Sequence, residues 1–236
     1  MSDVPALPAS APEWMSPLVR GLDASSDQLR RLLGRRVPQK DTAAEAAVLM
    51  LLSGDPGAKD LPGDARVLLT HRTPTMRSHS GQMAFPGGRI DPGDAGPVDA
   101  ALREAWEETG LERARVAPLA TLDTVTTGGS GRAVAPVLAY SADPGETRVA
   151  SVQETDDVFF ASLADLIEPA NRVQVGMLAW HGPAFWVNDY LVWGFTGALL
   201  DALLRAGSWA KPWESGRIVP LRSALKRSRN GERHFS

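Results

Sequence analysis

The stretch Pro97-Val-Asp-Ala-Ala-Leu-Arg-Glu-Ala-Trp-Glu-Glu-Thr-Gly110 constrains the fold more than any other part of the chain, because it specifies a helix with both ends fixed. Proline suits the first helical turn, where its missing N–H costs nothing, and glycine suits the left-handed residue that follows a helix. At about 100° of rotation per residue, Val98, Ala101, Leu102, Ala105, Trp106 and Thr109 share one side while Glu104, Glu107 and Glu108 cluster on the other. The spacing predicts a helix that packs by the first set and turns its carboxylates together, away from the core. Ala100 projects between them and leaves room for an ion and its waters.

The charge on this helix is the wrong sign for its place. The helix macrodipole puts partial negative charge at the C-terminus, and no lysine or arginine lies in the following turn to offset the three glutamates. Glu104 and Glu108 also repel each other at i,i+4 by about 0.2–0.5 kcal/mol. A bound cation reverses that sign. Arg103 flanks the cluster and can hold one carboxylate by a bidentate pair, which fixes its rotamer. The alternative is a solvated acidic face, but such a face usually interleaves lysines at i+4 and does not end acidic.

Upstream of the helix, Phe85-Pro-Gly-Gly88 and Arg89-Ile-Asp-Pro-Gly-Asp94 form a loop punctuated by glycine and proline. Its backbone can approach a ligand closely and offer N–H groups to an anion, although ordinary turns use the same residues. Joined to a glutamate-rich helix, the loop describes a site for a metal with a phosphate, since hard divalent cations take carboxylate and phosphate oxygens together.

These residues resemble a known family. The run from Gly88 through Arg103-Glu-Ala-Trp-Glu-Glu-Thr-Gly-Leu111 is similar to the Nudix box, G-x5-E-x7-R-E-U-x-E-E-x-G-U with U aliphatic. The second half matches at every fixed position. The first half carries one extra residue between Gly88 and Arg103, and the box's first glutamate is missing, its place falling on Asp94 or Ala95. The segment from Leu68-Leu-Thr-His-Arg72 through Arg77 and Gly81 to Phe85-Pro-Gly-Gly88 resembles the second signature of one Nudix branch, the coenzyme A diphosphatases. Thr73 is its only mismatch, and the longer box is that branch's own form. The two motifs are contiguous from Leu68 to Leu111, with weaker similarity to about Leu204.

The resemblance implies a Nudix fold, an α/β/α sandwich with a mixed central β-sheet, and hydrolysis of the diphosphate in coenzyme A or its thioesters to 3′,5′-ADP and the 4′-phosphopantetheine part. Cleavage of a diphosphate needs an in-line water and cations that neutralise oxygen charge, with little covalent chemistry from the protein. Glu104, Glu107 and Glu108 are the expected ligands for Mg²⁺ or Mn²⁺. A further acidic residue from a later loop often completes such a site in this family. Glu154 occupies the matching stretch, with Asp156 and Asp157 as rivals and an acidic surface loop as the alternative.

Arg72, Arg77 and Arg89 are candidates for phosphate, since guanidinium forks match its oxygens, and Arg77 ranks first as a fixed position of the signature. Phe85, Gly87 and Gly88 of the same loop are assigned to the substrate side, and Arg103 and Gly110 to structural support. His71 and His79 flank the loop and are read as surface or hydrogen-bonded residues outside the catalytic set. Arg30, Arg31, Arg35, Arg36 and Lys40, or the tail from Arg217 to Arg233, could meet a 3′-phosphate, and the aromatic stretch Trp180 to Trp193 could pack on the substrate or form core. Other hydrolases of nucleoside diphosphate derivatives, such as ADP-ribose or dinucleotides, and a nucleotide-sensing module without catalysis are the alternatives. The three intact glutamates speak against the last.

Composition is consistent with a single enzyme domain. Of 236 residues 43% are hydrophobic, enough for a packed core, and there is no cysteine, which excludes disulfides, thiolate metal sites and a cysteine nucleophile. A net charge of −3, with basic groups not interleaved with aromatics, argues against nucleic acid as partner. No apolar run reaches the roughly 18 residues of a membrane span, and the first residues lack a basic start and apolar signal core. The expected setting is cytoplasmic, with a small-molecule partner, and the chain is compatible with a homodimer.

Residues 1–40 read as an N-terminal extension, loose to about residue 26 and then carrying a short helix from Asp27; residues 41–210 read as the Nudix domain and 211–236 as a basic, solvated tail. Short apolar runs predict strands at Ala46–Leu52 and Arg66–Thr70, forming a central pair, and at Ala117–Leu122, Val134–Tyr140, Asp157–Ala161 and Val173–Leu178. Leu191 to Leu204 has helical spacing and closes the domain.

Overall fold

The computed structural model describes residues 10–21, 43–76, 78–127 and 131–232. The helix expected from Asp27, the basic groups at Arg30 to Lys40, Arg77 and Arg233 lie outside the described residues.

Two long strands organise the molecule. Strand β1 (Ala46–Ser53) and strand β7 (Ala133–Ser141) run parallel, in register from Ala46↔Val134 to Ser53↔Ser141. Strand β2 (Arg66–Arg72) pairs antiparallel with β1 only at Leu52↔Val67 and Ser53↔Arg66, and then with β8 (Thr155–Ser162) along its whole length. The expected central pair of β1 with β2 is thus only two residue pairs long and is corrected: the long central pairing is β1 with β7, and β2 leaves β1 to make room for β4 (Gly87–Arg89), which pairs with the start of β1. Short β3 (Met83–Ala84), β5 (Ala117–Thr121) and β6 (Val125–Thr126) complete a mixed eight-stranded sheet among the described residues.

Period-two alternation assigns the faces of this sheet. Ala47, Leu49 and Leu51 of β1, Leu68 of β2, and Val137 and Ala139 of β7 point to one side, where helix α2 (Pro97–Thr109) packs with Ala100, Ala101, Leu102 and Ala105. The intervening Met50, Leu52, Val67, Leu69, Leu138 and Tyr140 point to the other, into a cluster with Leu199, Leu200, Leu203 and Leu204 of helix α4 (Gly194–Ala206). Covered on both faces, the sheet is the middle layer of an α/β/α arrangement. Each fully buried leucine in these layers contributes roughly 1.5–3 kcal/mol of hydrophobic stabilisation.

Two expectations about the ends of the chain are corrected. The N-terminal residues are not loose throughout: a 3-10 turn at Glu13–Met15 continues as helical residues 16–21 (α1), and Trp14, Met15 and Leu18 are buried in the cluster below α4. Trp14 sits edge-on to Tyr140 and against Trp209, so its indole replaces solvent at that end of the sheet. The closing helix starts at Gly194 rather than Leu191, because Tyr190–Val192 is strand β11. With β10 (Trp180–Val187), β9 (Arg172–Met177) and β12 (Ile218–Pro220), β11 makes a second, four-stranded sheet in the order β11-β10-β9-β12. The aromatic stretch expected at a ligand or in a core is the framework of this sheet. Helix α3 (Leu163–Ile167) precedes it, and helix α5 (Leu221–Leu225) covers one face with Leu221, Ala224 and Leu225 against Val175, Ala184 and Leu191. The residues read as a solvated basic tail thus pack from 218 onward, ending in fully buried Asn230 and nearly buried Glu232.

Candidate active site

The ends of α2 fall where the sequence puts them. Pro97 is the first helical residue, and Gly110 takes a left-handed φ of 69° and returns its N–H to the Trp106 carbonyl. The remaining C-terminal carbonyls are satisfied by a neighbouring segment: Ala150 N–H donates to Glu108 O and Arg148 N–H to Thr109 O, both at 3.0 Å. This tether also aims the loop that follows it. Glu154 lies next along the chain and is pinned by its N–H to Ser151 O and by its carbonyl, which accepts the Thr73 N–H at 2.9 Å.

The rotation of α2 differs from the expected one. Trp106 is 58% exposed, whereas Glu108 is 3% exposed and Ala100 is wholly buried. The cause lies in the alanines: Ala100, Ala101 and Ala105 let the helix lie close against β1 and the glycines of β4, and this close face draws Glu108 inward and carries the bulky indole out. Ala100 therefore packs in the core rather than between the carboxylates, and the three glutamates do not share one outward surface.

Glu104 lies directly over Gly88. A Cβ built on Gly88 would stand 2.4 Å from the Glu104 carboxyl carbon, so a side chain there would displace the Glu104 carboxylate. Gly87 (φ 159°) lies against β1, where an added Cβ would meet Ala47 O at 2.3 Å, and its N–H donates to Glu108. The two glycines thus seat the glutamates, and Phe85, only 2% exposed, anchors their loop in the core, which corrects its assignment to the substrate side.

Burial pushes the Glu108 carboxyl up to about 8, with the charges of Glu104 and Glu154 adding to the rise and Arg72 and the Gly87 N–H opposing it. Glu104 is also raised, first by burial, then by Glu107 and Glu154 against the pull of Arg103. Among the described residues, the Arg72 Nη1 lies 4.0 Å from Glu108 and the buried Arg72 Nε has no hydrogen-bond partner. Among the described residues, the charges of Glu104, Glu108 and Glu154 therefore oppose one another, and the arginine beside them holds a donor without a partner.

Arg103 holds Asp94 by two bonds, Nε to Oδ1 at 2.9 Å and Nη2 to Oδ2 at 3.0 Å, and reaches Glu104 at 3.1 Å, Glu107 at 3.3 Å and the Arg89 carbonyl at 3.0 Å. These bonds, with the Asp91 N–H, hold the Asp94 carboxyl below its ordinary range. Asp94, one of the two positions onto which the box's missing glutamate falls, thus orients Arg103. Glu107 is turned outward onto Arg103, with its side chain 43% exposed. Among the described residues no three acidic or imidazole side chains hold an ion's full shell as they stand. The donor types nonetheless suit a hard divalent cation: carboxylate oxygens of Glu104 and Glu108, with Glu154 adjacent and Glu107 at the rim, Arg103 offsetting part of the charge on Glu104 and Glu107.

The rivals of Glu154 are committed elsewhere. Asp156 Oδ1 is 2.5 Å from His71 Nδ1, and Asp157 Oδ2 accepts the Tyr190 hydroxyl at 3.0 Å. His71 is buried with both ring nitrogens engaged, and exposed His79 bonds Gln82, in keeping with their place outside the catalytic set. Arg89 has an exposed side chain and contributes its carbonyl to Arg103. Sequence reading missed Asn230 and Glu232 beside this loop; apart from their own turn, the partners that fix them lie 39 to 159 residues away, which leaves no local signal.

A glycine-seated carboxylate pair on a sheet-covering helix, beside an arginine, is an arrangement suited to a divalent cation and an anionic ligand. The NUDIX domain family profile matches residues 45–181, more than half of the chain, and the chain belongs to that family. Its members hydrolyse nucleoside diphosphate derivatives and generally use divalent metal ions. Nudix hydrolase 3 of Caenorhabditis elegans is 30% identical over 210 residues, covering 78% of this chain and 85% of the worm protein. The mitochondrial coenzyme A diphosphatase NUDT8 of Mus musculus is 32% identical over 197 residues, covering 78% and 89%. A Nudix hydrolase of Photorhabdus laumondii, NudL, is 31% identical over 145 residues, covering 58% of this chain and 74% of its own. Among the described residues no helix is long and apolar enough to cross a membrane.

Proposed function

We propose that the protein is a coenzyme A diphosphatase, cleaving the diphosphate of coenzyme A or its derivatives to 3′,5′-ADP and 4′-phosphopantetheine or its acyl form. The observation that carries this reading is the position of Arg72. Within the signature that distinguishes the branch, the Arg72 guanidinium stands beside the buried Glu108, and its buried Nε, without a partner among the described residues, suits a phosphate oxygen. The similarity to the mouse coenzyme A diphosphatase supports the same substrate.

Mg²⁺ or Mn²⁺, held by Glu104 and Glu108 with Glu107 through water, would neutralise the diphosphate oxygens and make a bound water more acidic. The chain's own residues do the rest. Arg72 binds and orients the phosphate, with Arg77 on the same loop as a second candidate. Arg103, fixed by Asp94, holds Glu104 and Glu107 in place. Glu154, whose backbone is tied to Thr73 and Ser151, is the carboxylate left to take a proton from water. The catalytic work is assigned to the segment between Leu68 and Glu154, with residues 41–210 as the working domain and action in the cytoplasm.

Product analysis tests the reading. Purified protein incubated with coenzyme A, ADP-ribose and a dinucleotide side by side, with Mg²⁺ or Mn²⁺, is expected to convert coenzyme A fastest and to release 3′,5′-ADP. Faster turnover of ADP-ribose or the dinucleotide would move the assignment to another Nudix hydrolase. Absence of metal-dependent turnover on all three would leave a binding module.

A further inference from the structure

The loop between Arg72 and Met83 hangs from the end of β2, and residues 229–232 back it from the second sheet. Asn230, fully buried, takes the Leu191 N–H on its Oδ1 at 2.8 Å and donates its Nδ2 to Leu191 O and Glu232 Oε1, both at 3.0 Å. Its carbonyl oxygen faces His71 Nε2 at 3.0 Å, beside the Gly81 carbonyl at 3.1 Å. Glu232 accepts from Trp193 Nε1 at 2.7 Å on one side and from Gln82 Nε2 at 3.5 Å on the other. Gly81 shows how tight the seat is. Its φ is 72°, and an added Cβ would stand 2.3 Å from Asn230 O and 2.9 Å from Glu232 N. The seated loop closes on Arg72 itself, through Gly81 N–H to Arg72 O and Arg72 N–H to Gln82 O, both at 2.9 Å.

We infer that Asn230 is a positioning residue for substrate binding: through His71 and Gly81 it fixes the loop whose closing pair is Arg72, and so sets where the phosphate-binding guanidinium stands. This rests on the assignment of Arg72 to the phosphate. The glutamates of α2 have no contact with residues 229–232 among the interactions described, being seated by β4 and Arg103 instead. Loss of the wedge should therefore act on binding more than on turnover.

The test pairs kinetics with hydrogen exchange on the full chain. Asn230→Ala should raise KM for coenzyme A about tenfold with kcat within about threefold, the pattern of lost uniform binding. Amides of residues 78–84 should exchange about tenfold faster, as local opening requires, while those of α2 keep the parent rate. Should Asn230→Ala fail to fold, Gly81→Ala pushes on the same seat from the other side, and the Leu191 amide, which Asn230 Oδ1 holds, should lose protection. A folded Asn230→Ala with unchanged exchange at 78–84, or with kcat reduced and KM unaltered, would overturn the inference. If the parent protein hydrolyses no diphosphate at all, the functional proposal fails. The exchange experiment then still decides whether residues 229–232 hold the loop, and unchanged rates there would overturn that too.

Discussion

The two sheets reach their structures by different means. The first is built from runs whose meaning is local: β1, β2 and β7 are apolar stretches bounded by loops, and α2 carries its own start, stop and charge pattern. In the second, β9, β10 and β11 pair as neighbours, but the segment after it is held by partners far apart in the chain, such as His71 with Asn230 and Trp193 with Glu232. The first region holds the proposed reacting groups, and the segment after the second sheet backs the loop from Arg72 to Met83. Chemistry here is written in short-range spacing, and its alignment in long-range contacts.

The largest expected effect breaks the second region alone. Arg172 is completely buried, paired with Asp201 and lying between the rings of Phe185 and Trp213. Arg172→Ala strands Asp201 with Arg205, and denaturant unfolding should show a loss of about 3–5 kcal/mol. Metal affinity per folded molecule should be unaltered; a fall would show that the two regions are not separable.

Glu104→Gln and Glu108→Gln break the first region. Each is expected to lower turnover roughly a hundredfold or more, above the 10–100-fold that losing an outer partner costs. The fold should remain intact, since a neutral amide replaces a carboxylate whose burial is unfavourable. Arg103→Ala comes next, with a loss of about 10–100-fold, because Asp94, Glu104 and Glu107 lose the group that orders them. Steady-state rates with circular dichroism as a folding control check all three.

The smallest effect is one of pH. Burial pushes Glu232 up to about 7, partly offset by hydrogen bonds from Trp193, Asn230 and Gln82 and by His71 nearby. Unfolded, this carboxyl titrates at its ordinary 4.5. The folded state therefore favours the protonated form, and the contribution is fully present below about pH 4.5 and lost as pH rises through about 7. The parent should lose up to a few kcal/mol across that window relative to Glu232→Gln, read from urea midpoints at several pH values. Parallel pH profiles would contradict the assignment.

How much of this was legible in the sequence follows the same division. Pro97 and Gly110 mark the helix by their own backbone constraints, and three glutamates against the dipole are a local anomaly. The longer strands of the first sheet announce themselves by apolar runs, whereas β3, β4 and β6 are two or three residues long and β4, Gly-Gly-Arg, reads as loop. The rotation of α2 was not legible, because side-chain hydrophobicity places Trp106 inward while three alanines and two glycines allow the approach that buries Glu108 instead. Glu154 could not be separated from Asp156 and Asp157 by sequence, since what separates them is that the latter two are already bonded to His71 and Tyr190. Asn230 and the packed end of the chain were read as solvated because a basic composition says nothing about what it folds against.

Manganese binding followed by electron paramagnetic resonance tests the central claim most directly, namely that the carboxylates of α2 exist in cation-deficient burial in order to hold a divalent ion. The account predicts Mn²⁺ bound by the parent protein, displaced by excess Mg²⁺ and weakened at least about tenfold in Glu108→Gln. Equal Mn²⁺ binding by parent and variant, or none by either, would contradict it.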